Sequence, residues 1–268
     1  MTREVRVHLL PSLFEPEDLR GGIAVVIDVL RASTTIIHAL AHGAKCVVPC
    51  FTVDEARKAA SVLARGAERS PTVADTACGV ASCDEVLLGG ERDGVLIPGF
   101  DLDNNPFAYT EEVVKDKTIV FTTTNGTAAL HRAAMADRVL IGAFINLRAV
   151  ANVLSTDDHR VHLVCAGTRG KITAEDVLCA GAMVDRLQAA DQDTSSWRYN
   201  DELLIATRLY AADRRDPKAL RELVRLSDGG RNCIRLGFDN QVDRAATFDL
   251  FDIVPEYEHA TGRIVRAP

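Results

Sequence analysis

The chain has 268 residues, 47% of them hydrophobic, and a formal net charge of −7, which fits a globular protein of one large or two small domains. No apolar stretch approaches the roughly 20 residues of a membrane span, and no apolar run follows the charged start, so no signal peptide is expected and the cytoplasm is the default compartment. The acidic balance disfavours nucleic acid, which selects a basic face, and seven cysteines without a C-x-x-C pair disfavour a disulfide framework or a zinc ribbon.

In chain order, short apolar runs predict strands at 5–9, 23–27, 46–48, 86–88, 118–121, 139–141 and 161–164. Helical patterns fall between most of them. A segment at 36–42 follows the second strand. The next, 52–66, opens on the capping box Thr52/Glu55 and stops at Gly66. Asn105-Pro106 sets an N-cap before an N1 proline and opens 107–114. Segments 128–135 and 147–154 follow, the latter behind Asn146 as cap, and Thr173 with Asp176 caps a long helix to about 190. The stretch 67–84 takes no assignment. Beyond Trp197, helices are expected at 202–212, 217–226 and 232–236, the last behind a tight polar turn, Ser227-Asp-Gly-Gly-Arg231. Alternation of this kind predicts an α/β fold, three-layer α/β/α, on a largely parallel or mixed sheet. Residues 197–268 read as a mostly helical C-terminal part of a single 1–268 domain. That part is also the expected contact of a homodimer, the commonest soluble assembly.

Three of the strands stop at polar loops that run into helices. The loops are Asp28-Val-Leu-Arg-Ala-Ser-Thr-Thr35, Thr122-Thr-Thr-Asn-Gly-Thr127 and Ala166-Gly-Thr-Arg-Gly-Lys-Ile-Thr173. Loops of this kind aim free backbone N–H groups and a helix dipole at one point, which makes an anion site. In open α/β sheets they cluster outside the carboxyl ends of the strands. One shared pocket for a small, highly charged anion is therefore expected.

Each motif also has an ordinary reading. Asp28 can ligate Mg²⁺ or attack phosphorus while Arg31 and the amides of 33–35 hold oxyanions; equally, Asp28 and Arg31 can form a loop ion pair with Ser33 as a cap. Asn125-Gly126 can be a hairpin turn, but the residues after it continue as helix. Glu175 and Asp176 suit a helix N-terminus without any function; beside Arg169 and Lys171 they also suit an anion–metal site. The third loop lacks the Gly-Lys-Ser/Thr of a Walker A motif. His38 and His42, one turn apart, lack the glutamate of a zinc-protease helix. Asp101-x-Asp103, the threonines at 122–124, Lys171 and the acid pair follow the motif order of haloacid-dehalogenase phosphatases, although Pro98-Gly99 interrupts the strand that would carry that nucleophile.

Taken together, Ile27-Asp-Val-Leu-Arg-Ala-Ser-Thr-Thr35, Leu87-Leu-Gly-Gly-Glu-Arg92, Gly99-Phe-Asp-Leu-Asp-Asn-Asn-Pro106, Thr122-Thr-Thr-Asn-Gly-Thr127 and Cys165-Ala-Gly with Glu175-Asp176 and Ala180-Gly181 resemble the signature segments of the 2-phosphosulfolactate phosphatase family. The likeness runs from about residue 23 to 181 and is weaker at 229–237. It implies a Mg²⁺-dependent phosphatase that releases phosphate from 2-phospho-3-sulfolactate on the route to coenzyme M. One segment departs from the family's Asp-Leu-Gly-Asn-Ser-Pro: Asp103 and Asn105 replace the glycine and the serine, which puts the choice among anionic substrates in question.

The combined reading assigns catalytic roles to Asp28, Arg31, Asn125, Arg169, Glu175 and Asp176, with Asp28 and Asp176 as Mg²⁺ ligands. It assigns substrate binding to Ser33, Thr34, Asn104, Thr123, Thr124, Gly126, Gly167 and Thr168. The substrate is a small phosphorylated acid. Phosphatase action on another such acid, and an anion-binding protein without turnover, are the rival readings.

Overall fold

The computed structural model describes residues 3–67, 85–191 and 193–267. In chain order the elements are β1 (Val5–His8), β2 (Gly22–Ile27), α1 (Ala32–Ala41), β3 (Cys46–Pro49), α2 (Val53–Ala67), β4 (Val86–Arg92), β5 (Val95–Leu96), α3 (Glu111–Val114), β6 (Thr118–Thr122), α4 (Gly126–Ala133), β7 (Arg138–Gly142), α5 (Leu147–Thr156), β8 (Arg160–Cys165) and α6 (Ala174–Ala190). Four further helices, α7 (Asp201–Asp213), α8 (Pro217–Leu226), α9 (Asp228–Arg235) and α10 (Asp239–Ala245), precede β9 (Pro255–Glu258) and β10 (Arg263–Arg266). None of the described helices is long and apolar enough to cross a membrane.

The ten strands form one mixed sheet in the order β1-β8-β2-β7-β9-β10-β3-β6-β4-β5. Strands β1, β8, β2 and β7 are mutually parallel, as are β3, β6 and β4. The antiparallel hairpin β9–β10 joins these two blocks, so they run in opposite senses. Twist of roughly 20–25° per step accumulates over the five steps from β2 to β6, and the loops after these strands meet despite the formal antiparallelism.

Helices cover both faces, the expected three-layer arrangement. Strand side chains alternate between cores, as a sheet buried on both faces requires. Ile23, Val25 and Ile27 face a core with α5 to α10, while Ala24 and Val26 face one with α1 and α4. On β6, Ile119 and Phe121 join the α1/α4 core and Val120 faces α2.

Several local expectations change. The segment 107–114 is not one helix: a short 3₁₀ turn at Pro106–Ala108 precedes α3, because Tyr109 is buried between them and its hydroxyl donates to the Asp103 carbonyl (2.8 Å). Asn105 does cap that first turn, accepting from the Phe107 amide (3.1 Å). Asn146 does not cap α5. Fully buried, it must satisfy its whole amide, and it accepts from the Ala143 amide (2.9 Å) while donating to the carbonyls of Ile141 and Ile253. Thr173 donates to the Asp176 carboxylate (3.3 Å) and makes no cap bond to the helix backbone. The polar turn at 227–231 is the start of α9, capped by Ser227, which accepts from the Gly230 amide (3.0 Å). The C-terminal part, read as mostly helical, also supplies the β9–β10 hairpin in the middle of the sheet. The unassigned stretch 67–84, with Cys78 and Cys83, lies almost wholly outside the described residues; the five described cysteines are buried and free.

Candidate active site

The loops after β2, β6 and β8 line one cleft of about 500 Å³, open on one side. Asp28, Leu30 and Arg31 come from the first, Thr123, Thr124 and Asn125 from the second, and Thr168 and Arg169 from the third. The β4–β5 turn adds Glu91, Asp93 and Gly94, the segment before α3 adds Asn104, and α9 adds Gly229, Asn232 and Cys233.

Asp28 stands where the apolar strand β2 ends. Its Oδ1 accepts from the Ala32 amide at the start of α1 (3.2 Å), and its own amide donates to Ser33 Oγ (3.0 Å). The other oxygen, Oδ2, lies against Gly126: a Cβ there would sit 2.8 Å from it and 2.6 Å from Ala32 Cβ. Only glycine lets α4 start this close to the carboxylate. Burial pushes the Asp28 carboxyl up to about 7, the Ala32 amide opposes this, and Glu91 and Glu175 raise it further.

Arg31 is buried beside it, across a cis Leu30–Arg31 peptide. The guanidinium donates to Gln241 Oε1 on α10 (2.7 Å) and to the Gly94 carbonyl (2.9 Å), and lies 4.8 Å from the centre of the Phe238 ring. The C-terminal helices therefore complete the site by fixing this cation. Glu91 is the penultimate residue of β4, much as Asp28 directly follows β2. Its oxygens accept from the amides of Gly94 (2.6 Å) and Thr124 (2.8 Å), which ties the β4–β5 turn to the loop after β6.

Behind the cleft lies a second pair of acids. Asp176 accepts from the Val29 amide (2.9 Å) at one oxygen and from the Gly167 amide (2.9 Å) and Thr173 hydroxyl at the other. It thus clamps the loop after β2 to the loop after β8. Glu175 is buried with Oε2 unpartnered, and its Oε1 lies so close to Gly229 that a Cβ there would overlap it. Burial raises both carboxyls to about 8; Asp176 adds to this for Glu175, and Asp28 for Asp176.

Of the residues singled out from sequence, Asp28, Arg31, Asn104, Thr123, Thr124, Asn125, Thr168 and Arg169 line the cleft. Ser33, Thr34, Gly126, Gly167, Glu175 and Asp176 shape it from behind. Ser33 and Thr34 sit inside the first turn of α1, where their hydroxyls donate to the carbonyls of Val26 (3.3 Å) and Val29 (2.8 Å). Asp101 and Asp103, the carboxylates of the haloacid-dehalogenase alternative, do not line the cleft: Asp101 accepts from the Leu88 amide (2.8 Å) and Asp103 from the Asn105 amide (3.0 Å). Both departures from the family segment thus serve their own loop. Glu91, Asn232, Phe238 and Gln241 were not foreseen. The strand-end carboxylate pattern that singled out Asp28 would also have found Glu91.

An all-oxygen donor set suits Mg²⁺, which takes one or two carboxylates and fills its shell with substrate oxygens and water. Among the described residues no three His, Cys, Asp or Glu side chains gather into a metal set, so a cation here would depend on such a sparing ligand set. Its fit is supported by cleft oxygens without partners among the described residues: Asn104 Oδ1 and Thr123 Oγ1 are both buried and unbonded.

A strand-end carboxylate facing a buried arginine, inside a cleft built by helix N-termini, defines an α/β protein equipped to handle a phosphorylated anion. Comparison with known proteins narrows this. Residues 8–260 match the family model described as 2-phosphosulpholactate phosphatase, and the chain belongs to that family. It is 41% identical over 249 residues to a probable 2-phosphosulfolactate phosphatase of Symbiobacterium thermophilum, covering 93% of this chain and 96% of that one. Similar proteins of the same description occur in Caldicellulosiruptor saccharolyticus (36% over 247 residues, 90% and 91% covered) and Caldanaerobacter subterraneus (37% over 246 residues, 92% of each).

Proposed function

We propose that the protein hydrolyses the phosphate monoester of 2-phospho-3-sulfolactate, releasing sulfolactate and inorganic phosphate, with Mg²⁺, on a route to coenzyme M. The observation that carries the reading is the pairing, in one cleft, of two strand-end carboxylates, Asp28 and Glu91, with a fixed buried cation, Arg31. A site built only to bind anions gains nothing from carboxylates beside its ligand.

Asp28, through Oδ2, and Glu91 would hold Mg²⁺. When bound, the ion supplies charge neutralisation and polarises a phosphoryl oxygen. Arg31 meets the phosphate with donors left over from Gln241 and Gly94, and needs no reorganisation to do so. The hydroxyls of Thr123, Thr124 and Thr168, which line the cleft, take further oxygens. Arg169 stands at the mouth, its amide donating to Asn125 Oδ1 (2.9 Å) and its guanidinium paired with Asp93 (3.2 Å), where it meets the carboxylate or sulfonate of the substrate. Asp176 keeps the two loops in register and leaves the metal to the cleft-facing acids.

Magnitudes favour the metal. Phosphate-monoester hydrolysis needs enhancements up to about 10²¹, roughly 29 kcal/mol. Charged hydrogen bonds contribute about 1.5–3 kcal/mol each and helix N-termini about 0.3–1. These donors fall short of the barrier, and a divalent cation with in-line positioning makes up the difference.

The test is phosphate release from 2-phospho-3-sulfolactate, 2-phosphoglycerate and glycerol 2-phosphate after treatment with EDTA. The expected outcome is no turnover until Mg²⁺ is returned, no requirement for Zn²⁺, and the highest kcat/KM on the sulfonate. Full activity in EDTA overturns the metal assignment. Equal kcat/KM on all three esters overturns the substrate.

A further inference from the structure

The helix α9 carries Asp228, Arg231, Asn232 and Arg235 at spacings of three, four and seven, which places all four on one face. Opposite that face lies the tight turn after β8, closed by paired backbone hydrogen bonds between Thr168 and Lys171 (2.9 and 3.0 Å). Between the two runs an open groove lined by Arg169, Lys171, Arg231 and Arg235, with Asp228 as the one carboxylate among its described lining residues. Thr168, Arg169 and Asn232 line both this groove and the cleft, so the groove opens into the active site.

The cations are not fully neutralised. Among the described residues Arg231 pairs with Asp228, and Arg235 donates only to the neutral Asn232 side chain (2.7 Å). Lys171 is exposed and has no carboxylate partner among the described residues. Arg169 pairs with Asp93, but both side chains are more than half exposed, so that pair costs little to exchange. Concentrated positive charge of this kind is out of keeping with a chain of net charge −7, which by itself repels a multiply charged anion.

We propose that the α9 face and the Thr168–Lys171 turn form a cationic approach groove, in which Lys171 and Arg235 capture the polyanionic substrate and pass it along Arg169 into the cleft. The groove selects for substrates with acidic groups besides the phosphate, because each added charge gains from the same potential. Local charge acts on kcat/KM whichever step limits it: it raises the encounter rate if capture is slow, and the affinity if chemistry is slow. Fields of this kind change association by about 10- to 1,000-fold and collapse with salt.

This inference rests on the phosphatase reading, and its test separates the two. The variant Lys171→Glu/Arg235→Glu is compared with Lys171→Arg/Arg235→Lys and wild type. At low salt the reversed pair should lower kcat/KM for 2-phospho-3-sulfolactate by about tenfold or more, with kcat within about twofold and a smaller loss on glycerol 2-phosphate. The gap should close at about 0.5 M salt, where the Debye length shrinks to roughly 4 Å, and the conservative pair should behave as wild type. A salt-independent loss, a loss carried by kcat, or no loss overturns the proposal. If wild type turns over none of the esters, the phosphatase reading fails by itself. The groove is then judged by calorimetry with inorganic pyrophosphate at low salt: weaker binding to the reversed variant supports it, and equal binding overturns it.

Discussion

Asp28→Asn should move stability and activity in opposite directions. Asparagine keeps the size of the side chain and can still accept from the Ala32 amide through Oδ1. What it removes is a charge at the floor of the cleft, pushed up to about 7 first by burial and then by Glu91 and Glu175. For an acid whose folded pKa is raised, the folded state holds its proton more tightly than the unfolded one. Stability is therefore greatest below the unfolded value near 3.8 and is lost as pH rises to about 7. At pH 8 without divalent cations, wild type bears the full cost, on the order of 4 kcal/mol at 1.36 kcal/mol per unit, and the asparagine variant does not. Thermal melts in EDTA should show Asp28→Asn more stable than wild type at pH 8 and nearly equal to it at pH 4. The same substitution removes the cleft-facing carboxylate, and kcat should fall by at least about 10³, or roughly 4 kcal/mol of transition-state stabilisation. A well-folded variant with near-normal kcat would show that the chemistry lies elsewhere. A variant less stable than wild type at pH 8 would refute the electrostatic account of the floor.

Arg169→Ala should raise KM for 2-phospho-3-sulfolactate more than for glycerol 2-phosphate, with an unchanged melting temperature, since its exposed pair with Asp93 contributes about 0–1 kcal/mol; equal losses on both esters would mean that Arg169 does not read the second anion. Gly126→Ala should destabilise by about 1–3 kcal/mol and depress kcat, because the new Cβ falls 2.6 Å from Ala32 Cβ and 2.8 Å from Asp28 Oδ2; normal kinetics in this variant would refute the close approach of α4 to Asp28. His8 and His162 form a buried pair, Nε2 to Nδ1 at 3.0 Å, and burial lowers both to about 4, His162 adding to this for His8 and Arg160 for His162. Their unfolded value is 6.5, so stability is full above that pH and is lost as pH falls toward 4. His162→Gln should flatten that part of the melting-temperature profile, and an unaltered acid limb would exclude the pair as its source.

The parallel strands and their helices were legible because each carries a strong local signal. The runs at 23–27, 118–121 and 161–164 are apolar on both faces, and their loops are rich in small polar residues. Asp28 stood out because a carboxylate at the end of such a run has no packing reason to be there. Hydroxyl residues were less informative: Ser33 and Thr34 look like anion ligands in sequence, yet α1 begins early enough to turn their oxygens onto Val26 and Val29 carbonyls. Tertiary demands decided the rest. Asn146 reads as a cap, but complete burial sends its amide to Ile253, 107 residues away. Gly229 and Gly230 read as a turn, but they are glycines because Glu175 and the Val224 carbonyl leave no room for a Cβ, and Ser227 caps a helix through them. Nothing in the weakly apolar segment 239–245 announces α10, and so the partner of Arg31 could not be read locally.

That partner explains why the C-terminal helices belong to the chemistry. A buried guanidinium is costly unless its donors are met, and Arg31 is both buried and part of the cleft wall. The structure meets two of them, at Gln241 and Gly94, covers the cation with Phe238, and sets Asp28 nearby. Among the described residues the buried oxygens Asn104 Oδ1, Thr123 Oγ1 and Glu175 Oε2 have no hydrogen-bond partner. Around the floor the acids Asp28, Glu91, Glu175 and Asp176 outnumber the one buried arginine, and burial raises Asp28, Glu175 and Asp176. An anion entering alone would hold these carboxyls in their protonated forms, and a cation entering alone would displace their protons and leave Arg31 unmet. On the proposed function the two enter together, which couples metal and phosphate binding: each should tighten the other, by the same factor in both directions.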